Sequence, residues 1–368
     1  MKPVTTSILA ASLLLGSCTG AGSQSVSETE TTDSVSPASV LIARLDSAVS
    51  NGKYYFGHHD DTAYGHTWRY VDGASDVKAI TGEYPGLMSW DLGMIEVDSA
   101  RNLDGVPFEF IAAQAAAQDA RGGINAISWH PLNPMTRSNS WDVSATPLRE
   151  MATNAAVRDT LVAWIDRAAT FIGSLKDSQG NPLPVIFRPW HENSGSWFWW
   201  GKDHSTPEQY INLWKLTRER FDAKGINNVV WAYSPDKDLT REEYFSTYPG
   251  DEYVDILGTD IYHFDGENGV EQYRDRVKAQ MPFVVEEAEK RGKIAALTET
   301  GLEGLNVADW YTRVLMPSVD SLKIAYVCVW RNAIESEKPN HFYVPYPGHK
   351  SEQDFKKFHD TSNAIFVK

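Results

Sequence analysis

Residues 184–201 read PVIFRPWHENSGSWFWWG, an apolar run that ends on a carboxylate and continues into aromatic side chains. The run that begins at Val185 is typical of a buried strand, and Glu192 stands where it stops. The aromatic residues that follow are Trp197, Phe198, Trp199 and Trp200. A similar place occurs at 294–301, where IAALTETG puts Glu299 at the end of another apolar run. Each glutamate is therefore predicted to stand at the mouth of a strand.

Apolar runs of strand type alternate with amphipathic stretches from Val40 onward, with no second linker and no sequence repeat. Most runs are continuous, as expected of parallel strands buried on both faces. They cover residues 54–57, 87–92, 124–130, 185–192, 228–234, 255–262, 294–299 and 324–330. Helices are predicted between them at Phe108 to Arg121, Ala156 to Leu175, Pro207 to Lys224 and Val270 to Arg291. Eight strands alternating with helices predict an α/β fold, a single (β/α)8 TIM barrel over residues 39–368.

The ends of these predicted strands are polar or aromatic, whereas their interiors are aliphatic. In a barrel of this kind, functional residues gather at the carboxyl ends of the strands. Glu192 follows the fourth strand and Glu299 ends the seventh. Either glutamate alone is more simply a capping or solvated residue, and tryptophan-rich runs often belong to a core. Two carboxylates beside flat aromatic faces are, however, the minimum equipment for cleaving a glycosidic bond, and the combination indicates a glycosidase.

Composition narrows the class of substrate. The 368 residues include 13 Trp and 16 Tyr, a heavy usage in keeping with carbohydrate recognition. The formal net charge is −15 and no Lys/Arg cluster occurs, which argues against nucleic acid as a partner. Acidic polysaccharides are disfavoured as well, because their sites need cationic side chains. A neutral glycan fits this chain.

The amino terminus is predicted to be a targeting segment. Lys2 precedes an apolar stretch, and the tetrapeptide at 15–18, Leu-Gly-Ser-Cys, resembles a bacterial lipobox. Residues 1–17 are thus predicted to be a lipoprotein signal peptide, with Cys18 lipidated; an ordinary signal peptide with an accidental cysteine is the alternative. Residues 18–38 are polar and predict a flexible tether.

Two further expectations follow from this segment and from the second cysteine. Thr19 is not the Asp that retains some lipoproteins at the inner membrane, and no acidic run of the surface-display kind follows it. We therefore expect an outer-membrane lipoprotein that faces the periplasm. Cys328 lies in an apolar run and is expected to be a buried thiol.

Seven motifs carry a resemblance to a known family. In chain order they are GHHDDTAYGHTW (57–68), ISWHPLNP (127–134), FRPWHENSGSWFWWG (187–201), YSPD (233–236), GTDIYH (258–263), TETG (298–301) and WRN (330–332). Together they resemble glycoside hydrolase family 26, in particular its endo-β-1,4-mannanases. Most members of the wider clan have Asn before the acid/base, whereas this chain has His191, as that family does.

The resemblance implies roles for individual residues. Glu192 matches the acid/base, Glu299 the nucleophile, and Tyr262 the residue whose hydroxyl lies against that nucleophile. An acid/base needs an apolar flank to hold its proton, and Trp190 and Trp197 could provide one. The residues implied to bind substrate are His130, His191, Trp197, Asp260, Tyr262, Trp330 and Arg331, with Trp141 and Trp68 as further candidates. Two alternatives stay open: Asp260 as a salt bridge inside the barrel, and Trp141 as a loop anchor.

The implied activity is retaining, double-displacement hydrolysis of internal β-1,4-mannosidic bonds in mannan, glucomannan or galactomannan by a monomer. The alternatives are release of mannobiose from chain ends, a β-glucanase or xylanase, and a non-catalytic glycan-binding lipoprotein. No cofactor is implied. No metal site is predicted either, because adjacent residues of HHDD (58–61) point to opposite faces of a strand and cannot all reach one ion.

Overall fold

The computed structural model describes residues 35–368. The predicted signal peptide, the lipidation at Cys18 and most of the predicted tether lie outside the described residues. The first helix, α1 (Pro37–Ser50), begins with Pro at its first position, and Ser36 caps it by accepting a hydrogen bond from the Ser39 backbone at 3.1 Å. The last two residues of the predicted tether, 37 and 38, are therefore helical.

Eight parallel strands form a closed barrel and confirm the predicted fold class. They are β1 (Tyr54–His59), β2 (Leu87–Asp91), β3 (Ile124–Ser128), β4 (Val185–Arg188), β5 (Val229–Tyr233), β6 (Ile256–His263), β7 (Ile294–Leu302) and β8 (Tyr326–Val329). Each strand pairs in parallel with the next. Pairing of β1 with β8 closes the ring. All eight predicted runs are strands of this barrel.

Helices surround the strands. The four predicted helices are α3 (Phe108–Ala120), α5 (Ala155–Ser174), α6 (Pro207–Ala223) and α8 (Val270–Arg291), each within one residue of expectation. The remaining α-helices are α2 (Asp76–Thr81), α4 (Pro147–Glu150), α7 (Arg241–Phe245), α9 (Met316–Val319) and α10 (Glu352–Thr361). A π-helical turn, Tyr311–Leu315, precedes α9. Within residues 35–368, no helix has both the length and the apolar character needed to cross a bilayer.

The amino-terminal end of the barrel is closed by apolar residues. Leu41 and Leu45 of α1 are almost fully buried in a cluster with Ile186 and Val230 from the barrel strands. Burying such a leucine contributes about 1.5–3 kcal/mol. Two short strands that the sequence did not predict, Tyr84–Pro85 and Ala364–Val367, add to the sheet at the start of β1. The carboxyl ends of the strands, after which both glutamates were predicted, lie at the opposite end of the barrel.

One irregularity in the barrel determines how its seventh strand meets the site. The register between β6 and β7 shifts, so that Thr259 faces Leu297 while Asp260 faces Glu299. The extra residue is Thr298, a β-bulge. On a regular strand, consecutive side chains point to opposite faces. Here both Thr298 and Glu299 contact groups inside the barrel.

Candidate active site

Glu192 lies in a tight turn directly after β4. The backbone of both Trp190 and Glu192 is left-handed, with φ of 53° at each, a conformation that costs non-glycine residues on the order of 1–3 kcal/mol. Hydrogen bonds hold the turn: Tyr210 donates to the Trp190 carbonyl at 2.8 Å, and the Glu192 amide donates to the Ser234 carbonyl at 2.7 Å. The fold therefore fixes the direction in which Glu192 leaves the strand.

The carboxyl group of Glu192 is surrounded by negative charge. Burial, followed by the carboxylates of Asp260, Glu299 and Asp236, raises its pKa well above the usual range, against an opposing effect of Arg188. The Trp197 indole donates to Glu192 Oε2 at 2.7 Å and is the flanking contact that the structure shows. A raised pKa favours the protonated form of this carboxyl group, which can donate its proton to a substrate.

Glu299 is held by two donors. The Tyr262 hydroxyl donates to its Oε1 and the Arg188 guanidinium to its Oε2. Only 6% of Glu299 is exposed, so these two contacts fix the orientation of both oxygens. The contact between Tyr262 and Glu299 that the resemblance implied is therefore present.

Arg188, at the end of β4, joins Glu299 to Asp260. Its Nη1 donates to Asp260 Oδ2 at 2.7 Å. Asp260 Oδ1 accepts from the hydroxyls of Ser234 and Thr298, each at 2.7 Å. Burial raises the pKa of Asp260 to about 7, with Arg188 opposing and Glu299 adding to the rise. Asp260 is fully buried and both its oxygens have protein partners, which is the arrangement of the salt-bridge alternative.

A row of polar side chains lies beside the two glutamates. His130 Nδ1 is 2.6 Å from Asp91 Oδ2, and His130 Nε2 is 3.1 Å from His191 Nε2. The resemblance implied that His130 binds sugar hydroxyls, but both of its nitrogens contact protein atoms here. His191 Nδ1 is buried and has no partner among the described residues.

Trp330 and Trp141 present aromatic faces at the same end of the barrel. Trp330, just after β8, is half-buried and stacks on His59 with the ring centroids 4.2 Å apart. Trp141 is 49% exposed and stacks on His130 at 5.6 Å. An exposed ring stacked on a site histidine favours a sugar-facing role for Trp141 over that of a loop anchor.

Trp68 is placed differently. Its indole donates to Asp76 Oδ1 at 2.8 Å, which ties it to the start of α2. Of the aromatic run after Glu192, Trp199 and Trp200 are buried, whereas Trp197 is 36% exposed. For those two tryptophans, membership of the core is therefore the correct interpretation.

Arg331 lies in a cluster of charged groups near Trp330. Its guanidinium is 2.9 Å from Asp104 Oδ1 and 3.2 Å from the Tyr64 hydroxyl, which donates to Asp60 Oδ2 at 2.6 Å. His59, Asp60 and Asp104 come close enough together to be considered as metal ligands. Arg331 already supplies positive charge to Asp104, and Tyr64 occupies an oxygen of Asp60. Because these contacts already engage Asp104 and Asp60, we assign the cluster no metal.

Arg188, Asp91 and Asp104 are among the residues of this site to which the sequence analysis gave no individual role. Arg188 and Asp91 each end a barrel strand, and that position was the available signal. Asp104 lies in a loop, and only the folded chain brings it to Arg331.

Comparison with known proteins bears on the family of this chain. The model of the family described as Glycosyl hydrolase family 26 matches residues 34–305. A mannan endo-1,4-beta-mannosidase of Bifidobacterium adolescentis is 31% identical over 312 residues, covering 79% of this chain and 31% of that protein. One of Bacillus subtilis is 28% identical, covering 69% of each chain.

Among solved structures, a GH26 beta-mannanase from Bacteroides ovatus superposes with a TM-score of 0.86 at 45% identity. That match covers 90% of this chain and 95% of the other. The chain thus spans about a third of the Bifidobacterium relative but nearly all of the Bacteroides structure. On the family match and this likeness, the chain belongs to glycoside hydrolase family 26.

Proposed function

We propose that this chain hydrolyses internal β-1,4-mannosidic bonds of mannan, glucomannan or galactomannan with retention of configuration. The observation that carries the proposal is the contrast between the two glutamates. Burial and neighbouring carboxylates raise the pKa of Glu192, whereas Glu299 is held by a phenol and a guanidinium. One acid and one oriented carboxylate are what a retaining glycosidase requires.

In the first step, Glu192 donates its proton to the glycosidic oxygen while a Glu299 oxygen attacks the anomeric carbon. The bond to the leaving sugar breaks, and a covalent glycosyl-enzyme forms. In the second step, Glu192, now ionised, removes a proton from water, and that water attacks the same carbon. The bond to Glu299 breaks and both carboxyl groups return to their starting states.

The choice of mannan as substrate rests on the relatives. The two named above are called mannan endo-1,4-beta-mannosidases, and the superposed structure is described as a beta-mannanase. The faces of Trp330, Trp141 and Trp197 provide the flat apolar contacts that a neutral sugar chain needs.

A product profile over time tests this proposal. The wild-type protein is incubated with linear mannan and with manno-oligosaccharides of defined length; xylan and mixed-linkage β-glucan are compared at the same enzyme concentration. We expect a mixture of oligosaccharide lengths from mannan early in the reaction. Mannobiose as the sole early product would contradict internal cleavage, and faster hydrolysis of xylan or glucan would contradict the substrate. Binding without hydrolysis of any of them would contradict the enzyme itself.

We also propose that Cys18 carries a lipid, that residues 18–38 tether the barrel to the outer membrane on its periplasmic side, and that the protein is a monomer. The lipobox and the polar composition of the tether support this. In cells grown with labelled fatty acid, wild type should carry label and Cys18→Ala should not. Unlabelled wild type would contradict the anchor, protease sensitivity of intact cells would contradict the periplasmic side, and sedimentation as a dimer would contradict the monomer.

A further inference from the structure

Three side chains in a row connect the wall of the barrel to the turn that carries Glu192. Asp91 ends β2, His130 follows β3, and His191 immediately precedes Glu192. The contacts are 2.6 Å from Asp91 Oδ2 to His130 Nδ1 and 3.1 Å from His130 Nε2 to His191 Nε2. Asp91 is 0% exposed, His191 1% and His130 7%, so solvent does not screen these contacts.

The proton positions in the row follow from its first member. Asp91 also accepts from the Gly93 amide on Oδ1 at 2.6 Å and from the Ser128 hydroxyl on Oδ2 at 2.7 Å. Burial opposes its charge, yet the adjoining His130 and the Gly93 amide hold the pKa of Asp91 well below its usual range. An ionised carboxylate can only accept, so the Nδ1 atom of His130 must carry a proton.

Only one hydrogen atom can lie between the Nε2 atoms of the two imidazoles. If His130 is neutral, its Nε2 is unprotonated and can only accept. His191 must then donate from its own Nε2, so that His191 Nδ1 is unprotonated. If His130 takes up a second proton, its Nε2 donates, and the proton of His191 moves to Nδ1. In this change, His130 gains one proton from solvent on Nε2, and the proton of His191 moves from Nε2 to Nδ1. His191 Nδ1, which has no partner among the described residues, changes from an acceptor to a donor.

We propose that Asp91 is a positioning residue. By keeping a proton on Nδ1 of His130, it makes the protonation state of His130 Nε2 determine which nitrogen of His191 is protonated. The relevance of this device to catalysis rests on the proposed function, because His191 adjoins Glu192. The tautomers themselves do not depend on that function. Asp91 thereby acts on the residue next to the acid/base without touching substrate.

The charges around the pair decide which histidine takes up the proton. Burial opposes a charge on either ring, but the facing Asp91 carboxylate and then Glu299 raise the pKa of His130 overall, against Arg188. Burial, Arg188 and the neighbouring histidines His130 and His59 lower the pKa of His191 well below its usual range. His130 is therefore the cation, present at low pH and lost as the pH rises through its raised pKa.

Nitrogen-15 NMR of the protein labelled in its histidine side chains tests the proposal, because the shifts of Nδ1 and Nε2 distinguish the tautomers. Resonances are assigned by comparison with His130→Gln and His191→Gln. We expect Nδ1 of His130 to be protonated throughout, and His191 to change from Nε2–H to Nδ1–H at the midpoint where His130 gains its proton. A bare Nδ1 on His130, or an unchanged His191 across that transition, would overturn the proposal.

The variant Asp91→Asn provides a second test of the tautomers. The Gly93 amide needs an acceptor at Oδ1, so the new amide oxygen stays there and the NH2 group faces His130. His130 must then accept on Nδ1 and carry its proton on Nε2, which makes His191 Nδ1–H at high pH as well. Ser128→Ala is the matched control: it removes another partner of Asp91 and should keep the wild-type tautomers. Wild-type tautomers in Asp91→Asn would contradict the account.

Activity is a separate readout. Asp91→Asn should lower kcat on mannan at least about tenfold, because reversing the tautomer of a site histidine misdirects its hydrogen bond. Ser128→Ala should stay near wild type. Absence of mannan hydrolysis by wild type would refute the proposed function alone, whereas unaltered kcat with reversed tautomers would refute the link of Asp91 to catalysis alone.

Discussion

The two glutamates have the same side chain but stand in opposite surroundings. Glu192 lies on a strained turn, with one indole donor and three carboxylates nearby. Glu299 lies on a bulged strand, with a phenol on one oxygen and a guanidinium on the other. The backbone accounts for the two proposed roles: the turn places one carboxyl among negative charges, and the bulge brings the other to Arg188.

The largest expected effect comes from removing Glu299, the proposed nucleophile. Glu299→Ala should lower turnover of every substrate by at least about 10⁴-fold, because no covalent intermediate can form. Steady-state rates on mannan and on an aryl mannoside measure the loss. Azide added to this variant should attack the substrate directly and give the α-glycosyl azide. Ordinary activity in Glu299→Ala would mean that the site is misplaced.

Glu192→Ala should behave differently on the two substrates. Mannan hydrolysis should fall by about 10²–10⁴-fold, since the leaving sugar needs a proton. An aryl mannoside with an acidic phenol needs little protonation, so its first step should proceed, and the glycosyl-enzyme should accumulate as a burst. Azide should restore the second step and yield the β-glycosyl azide. An α-azide from this variant would show that the two roles are interchanged.

Breaking the guanidinium contact should disturb Glu299 more than Glu192. Arg188→Met leaves two buried carboxylates, Glu299 and Asp260, without their partner, and should lower the free energy of unfolding by about 3–5 kcal/mol. The kcat on mannan should fall by about 10²-fold, because Glu299, the proposed nucleophile, loses its orientation. Chemical denaturation and kinetics measure the two effects. Arg188→Lys, which keeps the charge, is the control and should recover part of both; equal losses in the two variants would contradict a charge-based role.

The smallest expected effect is on pH dependence. Because the pKa of Glu192 is raised, its acid form persists to higher pH than that of an ordinary glutamate, and kcat/KM should fall as the pH rises through that pKa. Asp236→Asn removes one of the raising charges, so the alkaline limb should move to lower pH. Asp238→Asn, at a residue bonded to Arg276, is the control and should leave the limb in place. A shift to higher pH in Asp236→Asn would contradict the account.

The sequence was sufficient for the features that rest on local pattern. Continuous apolar runs located the eight strands, and the position of Glu192 and Glu299 after such runs placed both at the open end of the barrel. The strands 84–85 and 364–367 were too short for any periodicity to show.

Features that depend on register and on distant contacts could not be predicted in this way. The bulge at Thr298 is a property of the pairing between β6 and β7, and neither run shows it alone. The bond from Arg188 to Glu299, and that from Asp91 to His130, join different strands of the closed barrel. Which tryptophan after Glu192 faces solvent likewise depends on how the turn packs against the core.

The anomeric configuration of the first product from β-mannan tests the central claim most directly. If Glu192 and Glu299 act as acid/base and nucleophile, two displacements restore the starting configuration, and NMR recorded within the first minutes should show the β-anomer. The α-anomer as first product would mean a single displacement by water, and would contradict the assignment of Glu299 as the nucleophile.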